Sequence, residues 1–99
     1  MPAYIVVHVD VHDPGRYEIY KAMAPPSIRL YGGRYLTRGG AIEVLEGDWT
    51  PKRLVILEFP DMERARAWWH SPEYAEAKAL RIATSTSHML LLEGLDEQP

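Results

Sequence analysis

Apolar residues alternate with other residues in the first part of the chain, between positions 3 and 12. Successive side chains of a β-strand point to opposite faces, so a period of two predicts a strand with one apolar face. The predicted apolar face carries Ala3, Ile5, Val7, Val9 and Val11. The predicted opposite face carries Tyr4, Val6, His8, Asp10 and His12. One face of this strand is therefore suited to a core, and the other presents polar groups.

A helical segment follows this strand. Asp13 is suited to cap a helix and Pro14 to occupy its first turn, and Tyr17 and Tyr20 begin a helical spacing. Proline lacks the N–H that a helix interior needs, so the Pro25-Pro26 pair predicts a break or a restart of the helix. The pair Gly32-Gly33 is expected to end the helical region with positive φ angles.

A second helical segment opens at Pro60-Asp61 and places Ala65, Trp68 and Trp69 on its buried side. The Ser71-Pro72 pair predicts an interruption and a restart, after which residues 74–83 continue with helical spacing. This region is therefore expected to contain two consecutive helical pieces.

Three further strands are predicted. Residues 34–37 and 41–45 form one strand interrupted by a bulge or tight bend at Gly39-Gly40, residues 53–59 form the next, and residues 87–93 form the last. The strands on either side of the 46–51 loop are expected to be antiparallel neighbours. Residues 94–99 are a polar tail that is expected to fray.

The predicted order is strand, helix, strand, strand, helix, strand. This order indicates an α+β protein of the ferredoxin-like β-α-β-β-α-β type, with a four-stranded antiparallel sheet and its helices on one face. A single domain spanning residues 1–99, ordered over about residues 2–94, fits the length. The third and fourth strands are apolar on both faces, as in Leu54 and Ile56 or Leu90 and Leu92. A second copy of the sheet would cover the free face, so a homodimer is expected.

Composition narrows the class of protein. An apolar fraction of 46% and a charged fraction of 25% are typical of a globular domain. The chain has no cysteine, which excludes a disulfide framework, a thiolate metal site and a cysteine nucleophile. A net charge of −3 disfavours nucleic acid as a partner, and no apolar run is long enough for a membrane span. The first residues lack a signal-peptide pattern, so a cytoplasmic location is expected.

His8, Asp10 and His12 share one face of the first strand, and two histidines with one carboxylate are a known type of metal ligand set. Positions two apart in a strand are separated by roughly 6.5–7 Å, which puts the two histidines about 13 Å apart. The sequence therefore predicts no metal site from these three residues, and a site combining His8 with other strands stays open.

Polar groups on an apolar sheet need partners, and Glu58 and Arg38 are available to His8 and Asp10. His8, Asp10, Arg38 and Glu58 are therefore the candidate catalytic residues. The alternative is a buried structural network of hydrogen bonds and ion pairs.

Four residues are candidates for substrate binding: Tyr17, Tyr20, Trp49 and Arg81. Packing is the simpler role for both tyrosines, although either could reach His8 or Arg38 as a proton donor. Trp49 fits the end of a barrel or a dimer contact better than stacking on a substrate. Arg81 fits a solvated helix face, paired with Glu73 or Glu76, better than an anion site.

Several blocks of the sequence resemble the bacterial family called domain of unknown function 1330. The blocks are residues 8–11, Asp13-Pro14, Tyr17, Tyr20, residues 31–40 and 43–49, Glu58-Phe59-Pro60, residues 71–74 and Arg81. His12 stands where a threonine is expected. The resemblance implies the dimeric α/β-barrel superfamily, which includes cofactor-independent monooxygenases, lactone isomerases, dehydratases and haem-dependent enzymes.

Fold analogy alone is a weak argument for chemistry. The leading hypothesis is an enzyme that needs no cofactor and acts on a small organic metabolite. The alternatives are a non-catalytic binder of a small molecule and a purely structural dimer.

Overall fold

The chain folds into four strands and three helices, and the computed structural model describes residues 1–96. The elements are β1 (Ala3–Val11), α1 (Pro14–Leu30), β2 (Arg34–Arg38), β3 (Leu54–Phe59), α2 (Met62–Trp69), α3 (Pro72–Thr84) and β4 (Ser85–Glu93). The strands form one antiparallel sheet in the order β2-β3-β1-β4. The predicted ferredoxin-like α+β fold is confirmed.

The core lies between the sheet and the helices. The predicted apolar face of β1 is buried there over residues 3–9, and Val7 lies opposite Val55 of β3 in the antiparallel register. Trp68 of α2 is 1% exposed, and its indole Nε1 donates a hydrogen bond to Ser27 Oγ at 3.1 Å. Its ring centroid lies 4.0 Å from that of Tyr74. Large aromatic side chains thus join all three helices over the sheet.

A side-chain cap begins each helix, and the cap that the sequence predicts at Asp13 is confirmed. Asp13 accepts a hydrogen bond from the Arg16 N–H, and Asp61 accepts one from the Arg64 N–H. Ser71 Oγ accepts from the Tyr74 N–H at 3.1 Å, which starts α3 directly after α2 ends. Each cap satisfies one N–H that lacks a partner within its helix.

The predicted break at Pro25-Pro26 is wrong, because α1 continues through both prolines to Leu30. Pro25 removes the N–H that would bond to the Lys21 carbonyl in a regular helix. That carbonyl instead accepts a hydrogen bond from the Arg38 guanidinium of β2. A replacement donor from the sheet therefore compensates for one of the missing helix hydrogen bonds. The helix ends before Gly32, whose φ of 79° fits the predicted positive angle, whereas the positive angle predicted for Gly33 is wrong.

The strand predicted over residues 41–45 is also wrong, because β2 ends at Arg38 and residues 39–50 are exposed without regular structure. Gly39, with φ of 72°, turns the chain away from β3. The register irregularity falls between Tyr35 and Thr37 rather than at the glycine pair. The six residues of β3 leave no partner for a longer β2. β4 begins two residues earlier than predicted.

The end of the described chain is attached to its beginning, because the Gly94 N–H donates to the Pro2 carbonyl at 2.7 Å. The predicted fraying therefore does not apply at Gly94, and residues 97–99 lie outside the described residues. Within residues 1–96 no helix is both long and apolar enough to cross a membrane.

The sheet face opposite the helices, which we call the open face, is apolar and uncovered. It carries Val6, Leu54 and Ile56, together with Leu90 and Leu92 of β4. Leu90 is 61% exposed and Leu92 is 48% exposed. The prediction that β3 and β4 are apolar on both faces is confirmed.

Candidate functional site

The eight candidate residues are divided between the two sides of the sheet. His8, Asp10, Glu58 and Trp49 lie on the open face, whereas Arg38, Tyr17, Tyr20 and Arg81 lie on the helix side. The predicted convergence of His8, Asp10, Arg38 and Glu58 is therefore wrong. The β2–β3 register explains why, because it puts Arg34, and not Arg38, beside Glu58.

On the open face, His8 anchors a loop. Its Nε2 accepts a hydrogen bond from the Lys52 N–H at 3.0 Å, so this nitrogen carries no proton and neutral His8 is protonated at Nδ1. The Trp49 ring lies 5.6 Å from the His8 ring in an edge-on arrangement, and the His88 ring lies 6.3 Å away. These rings and Val6, Leu54 and Leu90 line an apolar cleft of about 260 Å³. His8 Nε2 is thus already engaged and is not free to act as a base.

Of the other two polar candidates on the open face, Glu58 has an ion-pair partner. Glu58 accepts a hydrogen bond from Arg34 Nε at 2.7 Å, and the Arg34 side chain is 71% exposed. Asp10 lies opposite Thr86, whose hydroxyl is 2.5 Å from His12 Nε2. Over residues 1–96, no group of three His, Asp or Glu side chains is placed to hold one metal ion.

The helix side contains a narrow cleft between the sheet, α1 and α3. Its floor is apolar and includes Val7, Val55 and Met89. Its polar lining consists of Tyr17, Tyr20, Lys21, Tyr35, Arg38, Arg53 and Arg81. The cavity volume is about 20 Å³, which is room for roughly one water molecule. We call this set the Tyr/Arg cleft.

A chain of hydrogen bonds runs behind the cleft. The Tyr20 and Tyr74 hydroxyl oxygens are 3.0 Å apart, and Arg81 Nε donates to the Tyr74 oxygen at 3.2 Å. Arg81 also donates to Ser87 Oγ on β4. Either hydroxyl of the Tyr20–Tyr74 pair can be the donor, and when Tyr74 donates, the Tyr20 proton is free to bond to a group in the cleft.

Arg81 is 4% exposed, so its predicted location on a solvated face, paired with Glu73 or Glu76, is wrong. It belongs to a buried stripe of α3 together with Tyr74, Ala77 and Thr84, at spacings of three and four residues. Helical periodicity places Arg81 on the same side of α3 as Tyr74, and this spacing in the sequence could have predicted that Arg81 is buried.

Two tyrosines of the cleft, Tyr20 and Tyr35, are held in their protonated form. Burial, assisted by Tyr74, raises the pKa of Tyr20 far above its ordinary value. Burial also raises the pKa of Tyr35. Near neutral pH these hydroxyls are proton or hydrogen-bond donors and not bases.

The three guanidinium groups of the cleft have neutral neighbours. Arg38 lies 4.6 Å from the centre of the Tyr35 ring, and Arg53 lies 5.8 Å from that of Tyr17. The Nε of Arg53 is buried and has no hydrogen-bond partner among the described residues. No salt bridge within residues 1–96 involves Arg38, Arg53 or Arg81. The Tyr/Arg cleft is therefore cationic.

Sequence reasoning missed Arg53 and Tyr35 as site residues. A signal existed, because Arg53 is in phase with Val55 and Leu57 on the buried face of β3. A charged residue at such a position, just before a strand, points its side chain towards the helices.

The sheet order and the single layer of helices define an α+β protein of the ferredoxin-like class. Residues 2–95 match the family described as a domain of unknown function, DUF1330, so the chain belongs to that family. Among curated proteins, no sequence matches this chain.

Solved structures share the fold at low identity. A protein of unknown function from Rhodopseudomonas palustris is 21% identical, with a TM-score of 0.78 over 96% of this chain and 83% of that one. A dimeric ferredoxin-like protein of unknown function from Jannaschia sp. CCS1 is 16% identical, with a TM-score of 0.72 over 95% and 100%. SnoaB, a cofactor-independent oxygenase from Streptomyces nogalater, is 17% identical, with a TM-score of 0.67 over 99% and 97%.

Proposed function

We propose that this chain is a homodimeric α/β-barrel enzyme that acts on a small organic metabolite without a cofactor. The dimer is argued from the open face, where Leu90 and Leu92 are about half exposed or more. Apolar patches of this kind usually mark an interface, and a two-fold axis would cover both copies at once. The Jannaschia protein, which shares the fold, is dimeric by its description.

The observation that carries the enzyme proposal is the Tyr20–Tyr74–Arg81 chain of hydrogen bonds beside the Tyr/Arg cleft. Donors fixed in a site of low polarity stabilise negative charge that develops on a substrate oxygen. Tyr20 would donate to that oxygen, while Arg38 and Arg81 supply positive charge and Tyr17 forms one wall. Negative charge that develops on the oxygen of a carbonyl compound is the kind of charge that this arrangement stabilises. SnoaB, a cofactor-independent oxygenase with the same fold, supports the proposal of an enzyme that needs no cofactor.

The candidate residues of the open face take a different role in this proposal. His8 and Trp49 would pack against the partner subunit, with His8 holding the 49–52 loop through the Lys52 N–H. Asp10 and Glu58 would lie at the margin of the same interface. The cleft, rather than this face, would bind the substrate.

The test is a metabolite screen by thermal shift, followed by product detection and oxygen uptake for each compound that stabilises the protein. Tyr20→Phe keeps the ring and removes the donor, so we expect at least a tenfold loss of turnover. Tyr31→Phe is the matched control, because Tyr31 donates to Glu73 at a distance from the cleft. Equal turnover by wild type and Tyr20→Phe would contradict the role of Tyr20.

A non-catalytic binder is the second candidate, and one observation favours it. The lining of the cleft contains no Asp, Glu or His among the described residues, so no base is in place to remove a proton from a substrate. A compound that shifts the melting temperature but is never converted would identify a binder. If no compound shifts it, the structural dimer remains.

A further inference from the structure

We infer that the Tyr/Arg cleft binds the carboxylate group of a small organic acid, an inference that rests on the cleft being the ligand site proposed above. Arg38, Arg53 and Arg81 contribute three positive charges to one cleft, and none forms a salt bridge within residues 1–96. Arg81 is buried and Arg53 is half-buried, whereas Arg38 is exposed, and buried arginine side chains are normally paired with an anion. A ligand carboxylate would supply the missing partner.

Arg53 is the residue whose surroundings most clearly lack an anion. Its Nε is buried without a hydrogen-bond partner in the described part of the chain. The guanidinium packs against Gly39, where a Cβ atom would lie 2.0 Å from one of its nitrogens. Gly39 therefore makes room for this guanidinium, and its φ of 72° favours glycine as well. An oxygen that accepts from Nε would remove the cost of a buried unsatisfied donor.

The size of the cleft selects among anions. A cavity of about 20 Å³ has room for roughly one water molecule or one carboxylate oxygen, and it is too small for an entire organic ligand. The remainder of the acid must then extend through the mouth. Arg38 is the exposed residue of the lining and bonds to the Lys21 carbonyl, so this mouth lies between α1 and the end of β2. The surrounding tyrosine hydroxyls donate and do not ionise near neutral pH, which also favours an anion over a cation.

The experiment measures binding of acetate, propionate and benzoate at pH 7 by calorimetry and thermal shift, at constant ionic strength. Acetamide and benzamide serve as uncharged analogues of similar shape. We expect the acids to bind and the amides to have no effect. Arg53→Gln should weaken binding about tenfold or more, because one charge-assisted contact is lost. Arg34→Gln is the matched control, since Arg34 pairs with Glu58 on the open face. The affinity of this variant for the acids should equal that of the wild type.

Arg53→Gln should also retain the melting temperature of the free protein, since the Nε of Arg53 makes no hydrogen bond that could be lost. If this variant does not fold, Arg53→Lys keeps the charge without the planar fork and should show intermediate binding. Equal binding by wild type and the variant that folds would overturn the inference.

The outcomes separate this inference from the proposed function. If the amides bind as well as the acids, or chloride and phosphate match the acids at equal ionic strength, the carboxylate assignment is overturned. If an uncharged metabolite is turned over while no acid binds, the enzyme proposal stands and this inference fails. If acids bind through Arg53 but none is converted, this inference stands and the enzyme proposal fails.

Discussion

The two faces of the sheet have similar apolar residues but differ in how their polar groups are satisfied. On the helix side, tyrosine hydroxyls and the Arg81 guanidinium bond to one another inside the protomer. On the open face, His8 bonds to a loop N–H and Glu58 to an exposed arginine, while Leu90 stays 61% exposed. The helix side is a packed core with a cationic cleft, and the open face is an apolar surface exposed to solvent. The two faces therefore differ more in the solvent exposure of their side chains than in residue type.

The largest effect is expected from a charge on the open face. Leu90→Asp should raise the dimer dissociation constant by about 1,000-fold or more, because a buried unpaired carboxylate is placed in each subunit. Light scattering on a sizing column should then report one chain instead of two. Ile82→Asp is the matched control, because Ile82 is also 61% exposed but lies on α3. A wild-type protein that runs as a monomer at micromolar concentration would refute the dimer.

The second prediction compares two tryptophans. Trp68→Ala should lower the free energy of unfolding by about 3–5 kcal/mol, because Trp68 is fully buried against Tyr74 and Phe59. Trp49→Ala, at a side chain that is 60% exposed, should act mainly through the dimer. The loss of unfolding free energy caused by Trp49→Ala should therefore depend on protein concentration in denaturant titrations, whereas the loss caused by Trp68→Ala should not. The reverse dependence would contradict the assignment of the two faces.

A smaller effect is expected from single polar groups. Tyr74→Phe leaves Arg81 Nε and the Tyr20 hydroxyl without their partner and should cost about 1–3 kcal/mol. Glu58→Gln removes an ion pair with an exposed arginine and should cost about 0–1 kcal/mol. Denaturant titration of both variants measures the difference. If Glu58→Gln lowered the free energy of unfolding more than Tyr74→Phe, the Arg34–Glu58 ion pair would have to be more deeply buried than it is in the protomer.

The smallest effect concerns pH. Burial raises the folded-state pKa of Tyr20 above its ordinary value, so the unfolded state loses this proton first as the solution becomes alkaline. The corresponding stability is fully present below a pH of about 10 and decreases as the pH rises further. Melting temperatures between about pH 8 and 11 should fall less steeply for Tyr20→Phe than for wild type. Parallel curves would contradict the buried state of Tyr20.

Sequence periodicity was most reliable where burial is one-sided. The alternation in β1, the cap at Asp13, the helix restart at Ser71-Pro72 and the apolar character of both faces of β4 are all confirmed. Errors arose where a distant part of the chain supplied a partner. The Arg38 side chain satisfies the carbonyl that Pro25 leaves free, and α1 therefore continues where local propensity predicts a break.

The candidate site residues show the same difference between what local periodicity predicts and what distant contacts decide. Tyr17, Tyr20, Arg38 and Arg81 share one cleft, although the sequence argument had placed Arg38 with His8 and Glu58. One irregularity between Tyr35 and Thr37 changes which residues of β2 face the helices from that point onward. Because side chains alternate along a strand, a shift of one residue moves a group to the opposite face.

The sequence by itself determined the class of fold, the order of its elements and the existence of an uncovered apolar face. These properties depend on local periodicity and capping, which are readable along the chain. Only the tertiary structure decided that Arg38, Arg53 and Arg81 share one cleft with Tyr20 and that His8 and Glu58 lie on the other side of the sheet. The physical reason is that strand register and helix packing bring together residues far apart in sequence, and neither is specified by any one segment.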